Sequence, residues 1–169
     1  MAQTIGQWLL CLKHYLLMCV FLSSPERLPY NPLCTLISLF AYFLIGLLLA
    51  DEHRGMASVS AQIFLEVIML ALVAYAGLYW KKSLMRFQQT ISALIGINMF
   101  ISAVTIPVYQ LVSNGGDSLL VYITLLIVVW NLAVLSLIFK RAFVISTQLS
   151  AMISFNYFVI YQFVVIWFF

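Results

Sequence analysis

The chain has 169 residues, of which 65% are hydrophobic and 8% charged, with a mean hydropathy of +1.11. Soluble domains carry about 25% charged residues, so a water-soluble fold is excluded. The formal net charge of +3 rests on eight basic residues scattered along the chain, too few and too dispersed for a nucleic-acid surface.

The first apolar segment, TIGQWLLCLKHYLLMCVFL, carries Lys13-His14 at its centre. A charge at mid-bilayer costs roughly 2.5–3.5 kcal/mol on insertion scales. No basic residue precedes the run and no small-residue cleavage site follows it, unlike a secretory signal. The expectation is an amphipathic helix lying in the inner membrane interface, ended by Ser23-Ser24-Pro25; a sixth span, which would reverse the side of the N-terminus, is the alternative. Residues 1–32 thus read as a cytoplasmic-side interfacial helix plus the Pro-containing connector SSPERLPYNP. Cys11, Cys19 and Cys34 all fall on that side, where a disulfide does not persist. Cys11 and Cys19 are about two helical turns apart and share a face. His14 is on another side, so they read as packing residues.

Residues 33–169 contain five windows, at about 33–50, 60–80, 89–112, 119–139 and 143–169, each able to cross a hydrocarbon core that needs about 20 apolar residues. The links DEHRGMASV, KKSLMRFQ, SNGGDS and KRA are short, which makes successive spans antiparallel. Continuous apolar runs in lipid mean helices. The fold class is therefore all-α: a polytopic membrane helical bundle of five transmembrane helices preceded by the interfacial helix. With the N-terminus cytoplasmic, Lys13, Arg27, Lys81, Lys82, Arg86, Lys140 and Arg141 lie inside and only Arg54 outside, as the positive-inside rule favours. The C-terminus then ends outside at Trp167-Phe168-Phe169. Short loops and no targeting extension suit a bacterial inner membrane.

Glu66, in QIFLEVIMLALV, is the one acid inside a span. Counted from residue 60, it sits about 9–10 Å below the outer edge. A carboxyl there is protonated, reaches the interface, or takes hydrogen bonds from neighbouring spans. At that level the third span offers Thr105 and Tyr109, the fourth Tyr122 and Thr124, the fifth Tyr161 and Gln162. Asn98, Asn131 and Asn156 lie deeper, and each should face protein or water, because an unpaired amide in lipid is costly. All three read as interhelical glue; the alternative is that Asn98 and Asn131, with Glu66, line a substrate path. Pro107 is expected to kink the third span and to free the Ala103 carbonyl, which Glu66 could reach. Small residues on the second span (Ala71, Ala74, Gly77) and third (Ser92, Ala93, Gly96) suggest that these two form a tight hairpin. The fifth span has small residues on its inner half and aromatics on its outer half, which suits contact with lipid or a partner.

No catalytic, cofactor or metal motif occurs: His-Glu-x-x-His, Cys-x-x-Cys and Gly-rich phosphate loops are missing. Nor is there an inverted repeat or a pair of broken helices of the transporter kind. The lead-in helix, the connector SSPERLPYNP, five closely spaced spans and an outside C-terminus resemble the Yip1 family of small integral membrane proteins. That resemblance implies an all-helical multi-span fold. In the eukaryotic branch it also implies vesicle trafficking and small GTPases, although the long hydrophilic N-terminal region of that branch is lacking here. It carries over no site residue.

Two functions are compatible with these features. One is a non-enzymatic accessory subunit, assembly factor or scaffold, bound to membrane lipids and to a membrane-protein partner or a second copy. The other is a small transporter or channel component using Glu66 as a proton- or cation-responsive group.

Overall fold

The computed structural model of the protein describes residues 2–49, 55–112 and 117–169, with backbone alone described for residues 2–6, 109–112 and 117–120. Six helices follow one another: α1 (Ala2–Cys19), α2 (Pro32–Leu48), α3 (Met56–Trp80), α4 (Phe87–Val112), α5 (Asp117–Phe143) and α6 (Thr147–Phe168), with single 3-10 turns at Pro25–Arg27 and Leu84–Arg86. There is no strand among the described residues. Four stretches are long and apolar enough to cross a membrane: Met56–Trp80, Leu84–Val108, Val121–Phe143 and Thr147–Phe168. The fifth helix, α2, has 17 residues, at the short end of the spanning range of about 17–25. The all-α membrane bundle inferred from hydropathy is therefore what the chain forms.

Local chemistry explains the helix ends. Pro32 occupies the first turn of α2, and the Asn31 side chain caps it by accepting the Leu33 N–H at 3.0 Å, a standard N-terminal pairing. At the end of α3, Lys82 takes a left-handed conformation (φ 54°), with Ser83 N–H donating to the Leu78 carbonyl at 2.9 Å. This six-to-one bond is the closure that stops a helix and turns the chain back. Val144 (φ 52°) plays the same part after α5, and the Ser146 side chain then caps α6 by accepting the Leu149 N–H.

α4 is the hub. It packs on α1, α2, α3 and α5, and half of its spanning stretch is buried, against 17% for the other three. Its small-residue face, Ser92, Ala93 and Gly96, receives Tyr15 of α1. The Tyr15 hydroxyl pairs with Ser92 Oγ at 2.7 Å and accepts from Ser38 of α2 at 3.5 Å. A Cβ added at Gly96 would lie 2.5 Å from the Tyr15 ring. The hairpin expected between α3 and α4 is therefore not the closest pairing: α2 packs most extensively on α4, and α6 on α5. Gly77 of α3 faces α5 instead, where it admits the ring of Phe143 with no room for a Cβ. In the α5–α6 pair, the buried Ser136 and Ser150 hydroxyls meet at 3.1 Å.

The lead-in helix buries one face against the bundle. Cys11, Tyr15, Met18 and Cys19 are fully enclosed in the main core, while Leu9, Leu10, Lys13, Leu16 and Val20 face outward. Its hydropathy does not place it among the candidate spans. Hydrogen bonds tie it down instead: Asn31 Nδ2 donates to Gln7 Oε1 at 2.7 Å, Trp130 Nε1 to the Cys19 carbonyl at 3.0 Å, and His14 Nδ1 lies 3.3 Å from Ser23 Oγ. The connector then crosses one end of the bundle. Arg141 donates to the Ser23 carbonyl at 2.7 Å, Gln89 to the Leu28 carbonyl at 3.0 Å, and Arg86 pairs with Glu26 at 2.6 Å. The Arg86–Glu26 pair is half exposed, so it contributes at most about 1 kcal/mol. The two carbonyl bonds, made where water is scarcer, hold the connector more firmly. They also bring Arg27, Lys81, Lys82, Arg86, Lys140 and Arg141 to the same end of the bundle.

Replacing Gly96 by leucine should displace Tyr15 and detach α1. Overpacking of this kind typically costs about 1–3 kcal/mol. Limited proteolysis in nanodiscs should show faster cleavage near residues 20–30 in Gly96→Leu than in the wild type, with the helices beyond residue 56 unaffected.

Candidate functional site: a polar cavity among α3, α5 and α6

A 25-residue α3 beginning at Met56 puts Glu66 ten residues in, about 15 Å from the helix start and near its middle. The helix begins four residues before the apolar window does, so Glu66 lies about 6 Å further from the helix start than from the start of that window. Asn131 is likewise central, 14 residues into the 27-residue α5. α5 and α6 pack closely, and α3 lies against both. As a result Glu66, Asn131, Tyr157, Tyr161 and Gln162 line one cavity of about 200 Å³, completed by Val128, Leu132, Leu135 and Phe158.

Glu66 shows part of its side chain at the surface, while its carboxyl group lies within the bundle. Its partner is Tyr42 of α2, whose hydroxyl donates to Glu66 Oε2 at 2.5 Å. Tyr42 is itself buried. On the other side, the Tyr157 and Tyr161 rings stack one helical turn apart, with centroids 6.2 Å apart and planes inclined by 15°. Asn131 Oδ1 and the Tyr157 hydroxyl, on two of the residues that line the cavity, are enclosed and have no hydrogen-bond partner among the described residues. Tyr157 is only 6% exposed. An unpaired buried polar atom carries a desolvation cost of about 1–3 kcal/mol.

The other candidates separate from this centre. Asn98 is buried in α4 and its Oδ1 is unpartnered, but it does not line the cavity. Asn156 departs from expectation. It faces outward from the middle of α6 and satisfies itself by donating Nδ2 to the Met152 carbonyl of its own helix at 2.9 Å. A backbone carbonyl one turn back is the acceptor an asparagine can always reach in a helix, which makes an outward position tolerable. α4 runs on through Pro107, which is exposed, and Glu66 turns toward Tyr42 and the α5–α6 pair; no bond joins it to Ala103 among the described residues.

Of the expected donors, Tyr161 and Gln162 line the cavity with Glu66. Thr105 spends its hydroxyl on the Ile101 carbonyl at 2.8 Å, and Tyr122 and Thr124 face outward. The Tyr109 side chain, His53 and Arg54 lie outside the described residues. The residue missed from the sequence is Tyr42. Counted inward from the end of the first window, it falls about 12 Å deep, close to the level assigned to Glu66, so the level comparison applied to the first span would have found it.

All three cysteines are buried and unpaired. Burial pushes the Cys19 thiol up to about 11, and burial together with the neighbouring Cys34 pushes Cys11 up to about 12. No group of three or more metal-ligating side chains occurs among the described residues. In comparisons with protein families, characterised proteins and solved structures, nothing matches this chain.

Two outcomes follow from this geometry. Tyr42→Phe leaves a Glu66 oxygen unpaired and should destabilise the folded protein by about 1–3 kcal/mol, read from the midpoint of unfolding in detergent, whereas Glu66→Gln keeps an acceptor for Tyr42 and should cost less. In a Glu66→Leu background the further change Tyr42→Phe should cost nothing. Thiol-reactive probes at pH 7.5 should label neither Cys11 nor Cys19 in nanodiscs and both after denaturation, since a thiol that stays protonated and enclosed does not react.

Proposed function

We propose that this integral membrane protein is a small, non-enzymatic transporter or channel component in which Glu66 is the proton- or cation-responsive group. The observation that supports the reading is convergence: Glu66, Asn131 and Tyr157, from three different helices, line one cavity with two polar atoms unpartnered. Interhelical glue alone would consume its polar atoms in mutual bonds, as the Ser136–Ser150 pair does. Intramembrane acids that face a cavity mark ion or substrate sites as a rule. The clustering of basic residues at the connector end favours an N-terminal helix on the cytoplasmic side, in a bacterial inner membrane. Kinship with Yip1-like proteins is compatible with this topology and contributes no residue to the site.

A flux measurement tests this reading. Purified protein in liposomes should carry protons or monovalent cations faster than protein-free vesicles, detected with an internal pH dye and an imposed ion gradient. Glu66→Gln should abolish that flux while remaining folded. Equal flux from the wild type and Glu66→Gln would contradict the assignment.

The second reading, an accessory subunit or scaffold, draws on one separate observation: the outward-facing Asn156, a polar group in the middle of an apolar face that includes Met152, Phe155 and Val159. In lipid such a residue suits hydrogen bonding to a partner helix. Native purification in mild detergent should then retain a stoichiometric partner that Asn156→Leu releases.

A further inference from the structure

The cavity around Glu66 has a chemical bias. Among the described residues its one charged lining group is Glu66; the remaining polar groups are one tyrosine hydroxyl pair and two amides. No basic side chain among the described residues lines it, so an anion would meet a carboxyl and no counter-charge there. A cation, by contrast, has Glu66 as its counter-ion, with Asn131 beside it and the aromatic residues Tyr157, Phe158 and Tyr161 in the same lining. The space, about 200 Å³, corresponds to roughly six or seven waters at about 30 Å³ each, which is ample for an organic ammonium head group and loose for a bare metal ion.

A second feature adjoins the first. The outward face between α5 and α6 carries an open apolar groove of about 560 Å³. Its walls include Leu125, Val129 and Phe155, and it shares Val128, Leu132 and Phe158 with the polar cavity. A molecule lying in the groove therefore reaches the cavity past three side chains rather than through the length of the bundle. That continuity, together with the charge of Glu66, separates an amphiphilic cation from a hydrated inorganic one, which gains nothing from an apolar groove.

We propose that the cavity binds the protonated head group of an alkylamine that enters laterally from the lipid between α5 and α6, with its chain lying in the groove. Glu66 supplies the counter-charge, Asn131 Oδ1 accepts an N–H, the Tyr157 hydroxyl takes a further hydrogen bond, and Leu132 forms the threshold between chain and head group. The inference rests on the Glu66-centred reading above and names its ligand class.

The test is equilibrium binding of radiolabelled decylamine to the protein in neutral-lipid nanodiscs, with empty nanodiscs of the same lipid as reference. Expected are one saturable site per protein, at least tenfold weaker competition by decanol, no competition by decanoate, at least tenfold weaker binding by Glu66→Gln, and severalfold weaker binding by Tyr157→Phe, which preserves the ring. Leu132→Trp, which fills the threshold without touching the carboxyl, should also lose the site and keeps the test decisive if Glu66→Gln does not fold. Uptake no greater than that of empty nanodiscs would overturn the proposal. So would equal competition by all three amphiphiles, the mark of an unselective lipid groove, or displacement of decylamine by millimolar sodium or potassium at constant ionic strength. Binding without flux would retain this site and remove the transporter reading; flux without binding would remove only the ligand class.

Discussion

In hydrocarbon there is no water to receive an unpaired hydrogen-bonding group, so every buried polar atom must find a partner within the protein or carry the cost of lacking one. That constraint organises this bundle. Tyr15, Ser38 and Ser92 join α1, α2 and α4 through hydroxyls; Ser136 and Ser150 join α5 to α6; Tyr42 and Glu66 join α2 to α3. Apolar side chains gain little by leaving lipid for a protein interior that is equally apolar, so helix association relies on these bonds and on close packing. Gly96 and Gly77, each with an aromatic ring against it, supply close packing between α1 and α4 and between α3 and α5.

Against that background the few polar atoms left without partners are informative. Around Tyr15 the hydroxyls satisfy one another. Around Glu66 they do not: Asn131 and Tyr157 line one cavity with it, and Asn131 Oδ1 and the Tyr157 hydroxyl have no partner among the described residues. A bundle under pressure only to be stable would close such a space with leucine or phenylalanine, as Leu135 and Phe158 do along its edge.

Much of the architecture is legible in the sequence because hydrophobic length and basic loops act locally. The five windows correspond to α2 through α6, and the positions of Asn31-Pro32 and Ser146 mark helix starts by capping chemistry alone. What depends on which face of a helix meets which neighbour is less legible. The α2 and α4 helices are separated by α3, yet pack most extensively, and nothing in their local pattern distinguishes that from a hairpin of sequence neighbours. Helix limits matter for the same reason: moving the start of α3 from residue 60 to Met56 shifts Glu66 by about 6 Å, enough to change its company from the outer-end residues of α4 to the mid-helix residues of α5 and α6. Glu66 and Asn131 were recognisable as unusual from composition; their meeting, with Tyr42 as the third member, is a tertiary fact. Asn156 shows the converse, a polar residue that settles its hydrogen bond within its own helix and so leaves its face free to point outward.

The central claim is that Glu66, Tyr42, Asn131 and Tyr157 share one environment in the middle of the bundle. Isotope-edited infrared spectroscopy of the Glu66 carboxyl group in nanodiscs reports on that environment directly. Tyr42→Phe should shift the Glu66 band, Asn131→Leu and Tyr157→Phe should each change its width or position, and Asn156→Leu, on the outward face of α6, should leave it unchanged. A Glu66 band indifferent to Tyr42, Asn131 and Tyr157 would mean that the carboxyl lies elsewhere, and the cavity would then be no site at all.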